Sequence, residues 1–378
     1  MSLAFIDKRI DCTKRGRVKF LVACGGTAGH YLPALSFAES LRKKADYCDI
    51  KLVLTKRKIE QEADLGDFKA FHLSLVPISL RVNFKNLAAI GKFFQGSFES
   101  LYLILKFNPD IVVGFGSYAS FPLLFFAALL GKKILIHEQN VKPGVANRLL
   151  SLLANKIAVS FPESKKYFCC RKNKIIFTGN PVRSDLFLMD KHHALRYFNL
   201  AGDRLTLLVM GGSQGSHKIN TELIGALSEL DLDGKLQVIH LSGERDYYYL
   251  KDAYAKTRYA VRLFAFLKEM SFAYNAADLV ISRSGASSIN EIIYYRLPAI
   301  LIPYPYAGRH QRENAKVLHD RGACIIIEDT DFRSERLQEL LMQFLSHRED
   351  LNNLRSGLNS LSRPDAAEEL SNLVLSLN

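Results

Sequence analysis

The sequence predicts an α/β protein: two doubly wound, Rossmann-like domains facing each other across a cleft. Short β-rich runs alternate with helical patterns along all 378 residues. Several runs are apolar almost throughout, such as LTLLVM at 205–210 and AILIP at 299–303. Strands buried on both faces of a parallel sheet read this way. Gly-rich segments follow the strands, at the carboxyl ends where doubly wound sheets bind ligands.

In the first half, strands are expected at 17–24, 50–54, 110–114, 133–137, 156–160 and 174–178. In the second they are expected at 205–210, 236–241, 261–264, 278–282, 299–303 and 323–328. Helical stretches between them imply right-handed βαβ crossovers. The junction falls in 179–204, a Gly-Asn-Pro turn followed by a polar, charged segment. The expected domains are residues 1–184 and 185–363, with the last helix, 364–378, available to pack back on the first. A chain of 378 residues is long for one α/β domain and comfortable for two.

Charge is uneven. Through residue 184 there are 29 Lys and Arg against 13 Asp and Glu; the remainder has 22 against 25. A basic first half suits an anionic partner: nucleic acid, an acidic lipid surface or a phosphorylated substrate. The positive charges are dispersed and no zinc-finger or RNP-type motif occurs, which argues against nucleic acid. Six cysteines in no metal or CxxC spacing read as reduced thiols of a cytosolic protein. The first twenty residues are too charged for a secretory signal. The longest apolar run, 121–130, is far short of the ~20 residues of a membrane span.

Four Gly-rich segments follow strands. The first is Gly25-Gly26-Thr27-Ala28-Gly29-His30, whose free amides at a helix start can bind an anion. The second, Gly114-Phe115-Gly116-Ser117-Tyr118-Ala119, fits GxGxxA, with Glu138 ending the next strand. The third is Gly211-Gly212-Ser213-Gln214-Gly215-Ser216, where amides and the Ser213 hydroxyl can cradle a phosphate. The fourth runs from Ser284 to Glu291; the carboxylate of Glu291 can accept two hydrogen bonds from a ribose diol. Plain tight turns and a favourable charge near a helix start are the structural alternatives. Such turns in both halves favour a ligand held between two sheets over a single dinucleotide domain.

Polar clusters lie between these loops. His137-Glu138-Gln139-Asn140 ends a buried strand, which packing alone does not explain. Arg183, in Gly179-Asn180-Pro181-Val182-Arg183, suits a bidentate phosphate contact or a plain surface position. His310 to Asn314 form a further cluster at a strand end. The D-x-D strings at 231–233 and 329–331 sit in expected turns and read as solvated carboxylates, so no metal site is expected.

The motifs GGTAGH, HEQNVKPGVANR, GNPVR, GGSQGS, DLVISRSGASSINE and PYPYAGRHQRENA, in this order over residues 25–315, resemble the MurG family. That family transfers N-acetylglucosamine from UDP-N-acetylglucosamine to lipid I, making lipid II of peptidoglycan. The resemblance implies a GT-B fold, an inverting mechanism without cofactor, and a peripheral place on the cytoplasmic face of the inner membrane. Implied partners are the UDP-N-acetylglucosamine donor, the lipid-linked MurNAc-peptide acceptor and an anionic membrane surface; cell-wall or division proteins are further possible partners. By the same resemblance Thr27, Ala28 and Gly29 belong to the donor site. Asn140 and Gln311 meet the sugar, and Arg183 and Ser213 the diphosphate. Leu267 offers a backbone group to uracil. Ala286, Ser287, Ser288, Ile289, Asn290 and Glu291 hold phosphate and ribose. The family's usual GGTGGH has glycine at Ala28, and its loop after DIVV has glycines at Ser117 and Phe121, so close backbone approach to the acceptor pyrophosphate there is in question.

Transfer needs the leaving diphosphate stabilised and the attacking C4 hydroxyl deprotonated. Loop amides and Arg183 suit the first need without a metal; His30 and Glu138 are the candidate bases for the second. The stretch 84–107, apolar with interspersed lysines, suits either the lipid interface or a crossover helix buried on the sheet. Three other readings share parts of the pattern. They are a nicotinamide-dependent oxidoreductase, a UDP-sugar 2-epimerase and a non-catalytic nucleotide-sugar sensor.

Overall fold

A computed structural model describes residues 17–45, 47–61, 63–76, 84–212, 214–232, 234–306 and 310–377. The expected site residue Ser213 lies outside the described residues.

The first lobe runs β1 (Val18–Ala23), α1 (Ala28–Lys44), β2 (Cys48–Thr55), α2 (Lys58–Gln61), β3 (Lys69–Leu73), α3 (Phe84–Phe107), β4 (Ile111–Gly114), α4 (Ser117–Leu129), β5 (Lys133–Glu138), α5 (Val145–Leu150), β6 (Lys156–Val159) and β7 (Ile175–Phe177). The second runs α6 (Lys191–Tyr197), β8 (Leu205–Met210), α7 (His217–Glu229), β9 (Leu236–Leu241), α8 (Tyr247–Tyr254), β10 (Ala260–Phe264), α9 (Met270–Ala276), β11 (Leu279–Ser282), α10 (Ala286–Tyr295), β12 (Ala299–Leu301), α11 (His310–His319) and β13 (Cys324–Ile326). Three helices close the chain: α12 (Ser334–Ser346), α13 (Glu349–Gly357) and α14 (Ala366–Leu375).

Both sheets are parallel, ordered β3-β2-β1-β4-β5-β6-β7 and β10-β9-β8-β11-β12-β13. Alternate side chains feed cores on opposite faces. Phe20 and Val22 pack with Phe37 and Leu41 of α1, while Leu21 and Ala23 pack with Leu123 and Leu124 of α4. β3 is not among the expected strands. It is a partly exposed edge strand, KAFHL, and lacks the apolar run that marks its buried neighbours.

α14 crosses back to the first lobe. Leu370 and Val374 are buried in the α1 core, Ser371 Oγ lies 3.2 Å from Ser40 Oγ, and Lys44 pairs with Glu368. α3 has two characters. Leu103, Ile104 and Phe107 are buried against the sheet, and Ile90, Phe94, Phe98, Tyr102 and Leu105 are exposed.

Candidate active site in the cleft

Each sheet reverses its winding once, between β1 and β4 and between β8 and β11. Ligands bind beyond the strand ends at such switch points. The four strands concerned are those followed by the four Gly-rich segments. α1 and α10 start from Thr27 and Gly285, both extended and without a side-chain cap, so their first amides are free for a ligand. The two helix starts face each other: a methyl built on Gly29 would lie 3.6 Å from Ser287 Oγ. One narrow crevice is lined by Leu32 and Pro33 of α1, by residues 180–183, and by Ser287 and Glu291 of α10. Arg183, about a hundred residues before Ser287 and Glu291, therefore shares one site with them.

Arg183 is half-buried. It makes a bidentate pair with Asp185, which strengthens its hold on its proton, and Nη2 lies 3.4 Å from the Lys268 carbonyl. Tyr274 O–H donates to Glu291 Oε2 at 2.5 Å, and the Tyr274 ring stacks on Tyr295. Burial raises the Glu291 carboxyl above its ordinary range; the Tyr274 hydroxyl and Arg183 oppose that shift. Gln311 Oε1 accepts from the Ser284 and Tyr304 amides at 3.2 and 2.9 Å. Its Nε2 lies toward Gly285, 4.0 Å from where a methyl there would stand.

Three expected ligand residues can offer only backbone or little side chain. Leu267 and Ile289 are buried in the second-lobe core. The Asn290 side chain folds back to the Ala286 carbonyl at 2.7 Å.

Across the crevice, His30 Nδ1 lies 2.8 Å from the Phe115 carbonyl. A carbonyl only accepts, so Nδ1 carries the proton and Nε2 of the neutral ring is a lone pair. Glu138 is placed differently. It is 2% exposed, and its oxygens accept from Asn140 N (2.9 Å), Asn140 Nδ2 (3.3 Å), Gly144 N (3.2 Å) and Asn147 Nδ2 (2.8 Å). Such a saturated carboxylate shapes its own loop. Asn140 Oδ1 accepts from Asn314 Nδ2 at 3.1 Å, a contact between lobes.

Residues 20–159 match the glycosyltransferase family 28 N-terminal domain, and residues 206–370 match its C-terminal domain. Two similar proteins bear the name UDP-N-acetylglucosamine–N-acetylmuramyl-(pentapeptide) pyrophosphoryl-undecaprenol N-acetylglucosamine transferase. That of Syntrophus aciditrophicus is 38% identical over 357 residues, and that of Desulforamulus reducens is 34% identical over 363. Each match covers 93% of this chain and 97% of the relative. The solved MurG of Acinetobacter baumannii has a TM-score of 0.76 and 26% identity, covering 95% of this chain and 99% of that one. The chain belongs to the MurG family. The UDP-GlcNAc 2-epimerase of Neisseria meningitidis, 14% identical with a TM-score of 0.68 over 95% of this chain and 100% of its own, shares the fold alone.

As a MurG-family member the chain is a glycosyltransferase with two Rossmann-like lobes of the GT-B kind. The loops around the crevice are also held by residues that the sequence does not single out. Glu60 is buried and accepts from Gly26 N at 2.8 Å and Thr55 N at 2.7 Å, while Arg57 donates to the Gly26 carbonyl at 2.6 Å. In KRKIEQE these two look like solvated charges, and nothing local marks them. Asn314 is fully buried and bonds both Val141 N and the Ser284 carbonyl. Asp329, expected in solvent, is ion-paired with buried Arg283 at 2.5 Å, because Arg283 needs a counter-charge out of water. Ser117, where the family has glycine, takes a left-handed φ of 70°.

Proposed function

We propose that this enzyme moves N-acetylglucosamine from UDP-N-acetylglucosamine to the C4 hydroxyl of the N-acetylmuramic acid of lipid I, giving lipid II with inversion at C1. The observation that carries the reading is the meeting of two uncapped helix starts with Arg183 and Glu291 in one crevice. A uridine diphosphate needs that set: amides and a fixed cation for phosphate, a carboxylate for ribose.

In this reading the α10 amides and Arg183 take the diphosphate, with Ser213 as a further donor. Arg183 exchanges Asp185 for phosphate, and Glu291 Oε1 accepts from the ribose. Gln311 Nε2 and Asn140 contact the sugar, and the main chain at Leu267 meets the uracil. The acceptor O4 attacks C1 as its proton passes to His30 Nε2. The bond from C1 to the β-phosphate oxygen breaks, and the new charge on UDP falls on preorganised donors with no metal needed. His30 is the base, and Glu138 holds the loop that carries Asn140.

The exposed stripe of α3 continues onto neighbouring helices of the same layer through Leu129, Leu130, Val145, Leu149, Leu152 and Leu153, with Lys92, Lys106 and Arg148 exposed among them. Among the described residues no helix is long and apolar enough to cross a membrane. This face suits peripheral contact with an anionic leaflet that presents the lipid-linked acceptor. Phe98→Asp should abolish sedimentation with anionic vesicles while UDP-N-acetylglucosamine binding stays normal; unchanged sedimentation would move the membrane contact elsewhere.

The central test is His30→Ala, expected to lower kcat by roughly 10²–10⁴ with donor affinity, by calorimetry, changed only a few-fold. A near-normal kcat would remove His30 as base. Calorimetry with UDP-N-acetylglucosamine, UDP-glucose and NAD tests the donor class, and tight NAD binding would refute it.

A further inference from the structure

The end of β5 holds two buried polar residues that neither loop shape nor donor binding uses: His137 and Gln139. The His137 Nε2 atom is 3.0 Å from the Gly179 carbonyl, so it carries the proton and Nδ1 accepts. Gln139 Nε2, 3.2 Å from that Nδ1, must donate, and it gives its other hydrogen to the Phe115 carbonyl at 2.9 Å. This orientation turns Gln139 Oε1 toward His30 Nδ1, 3.3 Å away. Two carbonyls, Gly179 and Phe115, thus settle every proton in a row of three side chains. Its last member is His30, and among the described residues His30 Nε2 has no partner.

We propose that Gln139 is a positioning residue for transfer: together with the Phe115 carbonyl it holds His30 in the Nδ1–H tautomer, and His137, fixed by the junction carbonyl of Gly179, holds Gln139. The inference rests on His30 being the base. It adds a second acceptor for Nδ1–H beside the Phe115 carbonyl, so that the ring keeps offering Nε2 rather than Nδ1. Other charged or titratable groups near this ring are Glu138 on β5, Glu60 and Arg57 gripping Gly26, Tyr31 on α1, Tyr118 on α4, and Arg183 and Glu291 in the crevice. Within the row itself, His137 is the other titratable group. Burial holds it down to about 4, which keeps it neutral near pH 7.

The test is the pH profile of kcat for the full-length enzyme and two variants. Gln139→Met removes the acceptor beside Nδ1–H; kcat should fall about tenfold or more, and the acid limb should move to lower pH. Gln139→Glu sets a carboxylate there; the acid limb should move up by about one unit. Donor affinity should stay within about two-fold in both, since the altered group acts on the base rather than the donor. Acid limbs that coincide with wild type, in an enzyme that His30→Ala inactivates, would overturn the role of Gln139. A near-normal His30→Ala would overturn the base assignment instead. Should Gln139→Glu not fold, imidazole ¹⁵N shifts of Gln139→Met against wild type decide: a larger share of the Nε2–H tautomer of His30 is expected in the variant, and an unchanged tautomer ratio would refute the inference.

Discussion

The turns that follow β1 and β8 are near twins in sequence, GGTAGH and GGSQGS, yet they are held by different means. The first is tied by side chains, with Glu60 on the Gly26 amide and Arg57 on the Gly26 carbonyl. The third is wedged backbone against backbone: a methyl on Gly211 would lie 2.2 Å from Ser216 N, and one on Gly215 2.0 Å from the Ser242 carbonyl. Each turn is also backed by a buried neutral histidine near the end of a nearby strand. His137 backs the first through Gln139 and His30, and His240, bonded to Tyr254 and Asn220, backs the other. Glycine therefore admits neighbouring backbone in the second lobe, whereas in the first Gly25 and Gly26 are crowded mainly by the side chains of Thr55, Glu60 and Ser117, and Gly29 alone leaves room at the cleft.

The sharpest way to break this comparison is Gly215→Ala against Gly29→Ala. The first should lose more than about 3 kcal/mol by urea unfolding, since it combines a backbone clash with a φ of 74°. The second should stay within about 0.5 kcal/mol, its methyl meeting nothing closer than 3.6 Å, while donor binding weakens. Equal losses would mean that the two turns are held alike.

Next in size is the effect of pH. Burial lowers His137 from 6.5 to about 4 and His240 to about 3. Below 6.5 the unfolded chain takes up protons that the folded chain refuses, so this stability is complete above pH 6.5 and is lost as pH falls toward 4. The loss should be on the order of a few kcal/mol between pH 7 and 4, and His240→Gln should make it shallower. A flat profile would show that these rings are charged in the fold.

Glu60→Gln puts an amide where one of two backbone N–H groups needs an acceptor. It should cost about 1–3 kcal/mol and lower kcat, whereas no side-chain change should loosen the wedged turn in the same way. Unchanged stability would show that the first turn stands without its carboxylate. The smallest effect is expected at Ser117→Gly. Relief of left-handed strain should slightly outweigh the added chain entropy, for a gain of about 0.5 kcal/mol in thermal unfolding. A loss would mean that the Ser117 hydroxyl, 3.4 Å from Ala119 N, anchors the turn.

Much of the architecture is legible in the amino-acid sequence by itself. Apolar runs such as LTLLVM and the turns after them are local patterns, and a parallel sheet demands them wherever both faces are covered. Those patterns determined two doubly wound lobes and the Gly-rich turns at the strand ends. The edge strand β3 is illegible because half its side chains face water. Tertiary structure alone decided which side chains meet. Glu60 reaches Gly26, Asn314 reaches Val141, α14 returns to α1, and α3 buries only one side. The same holds for the two proposed bases: Glu138 is consumed by its own loop, while His30 Nδ1 meets Phe115 and Gln139, 85 and 109 residues on. Periodicity is written along the chain, but a hydrogen bond between distant residues exists only once packing brings its donor and acceptor within reach.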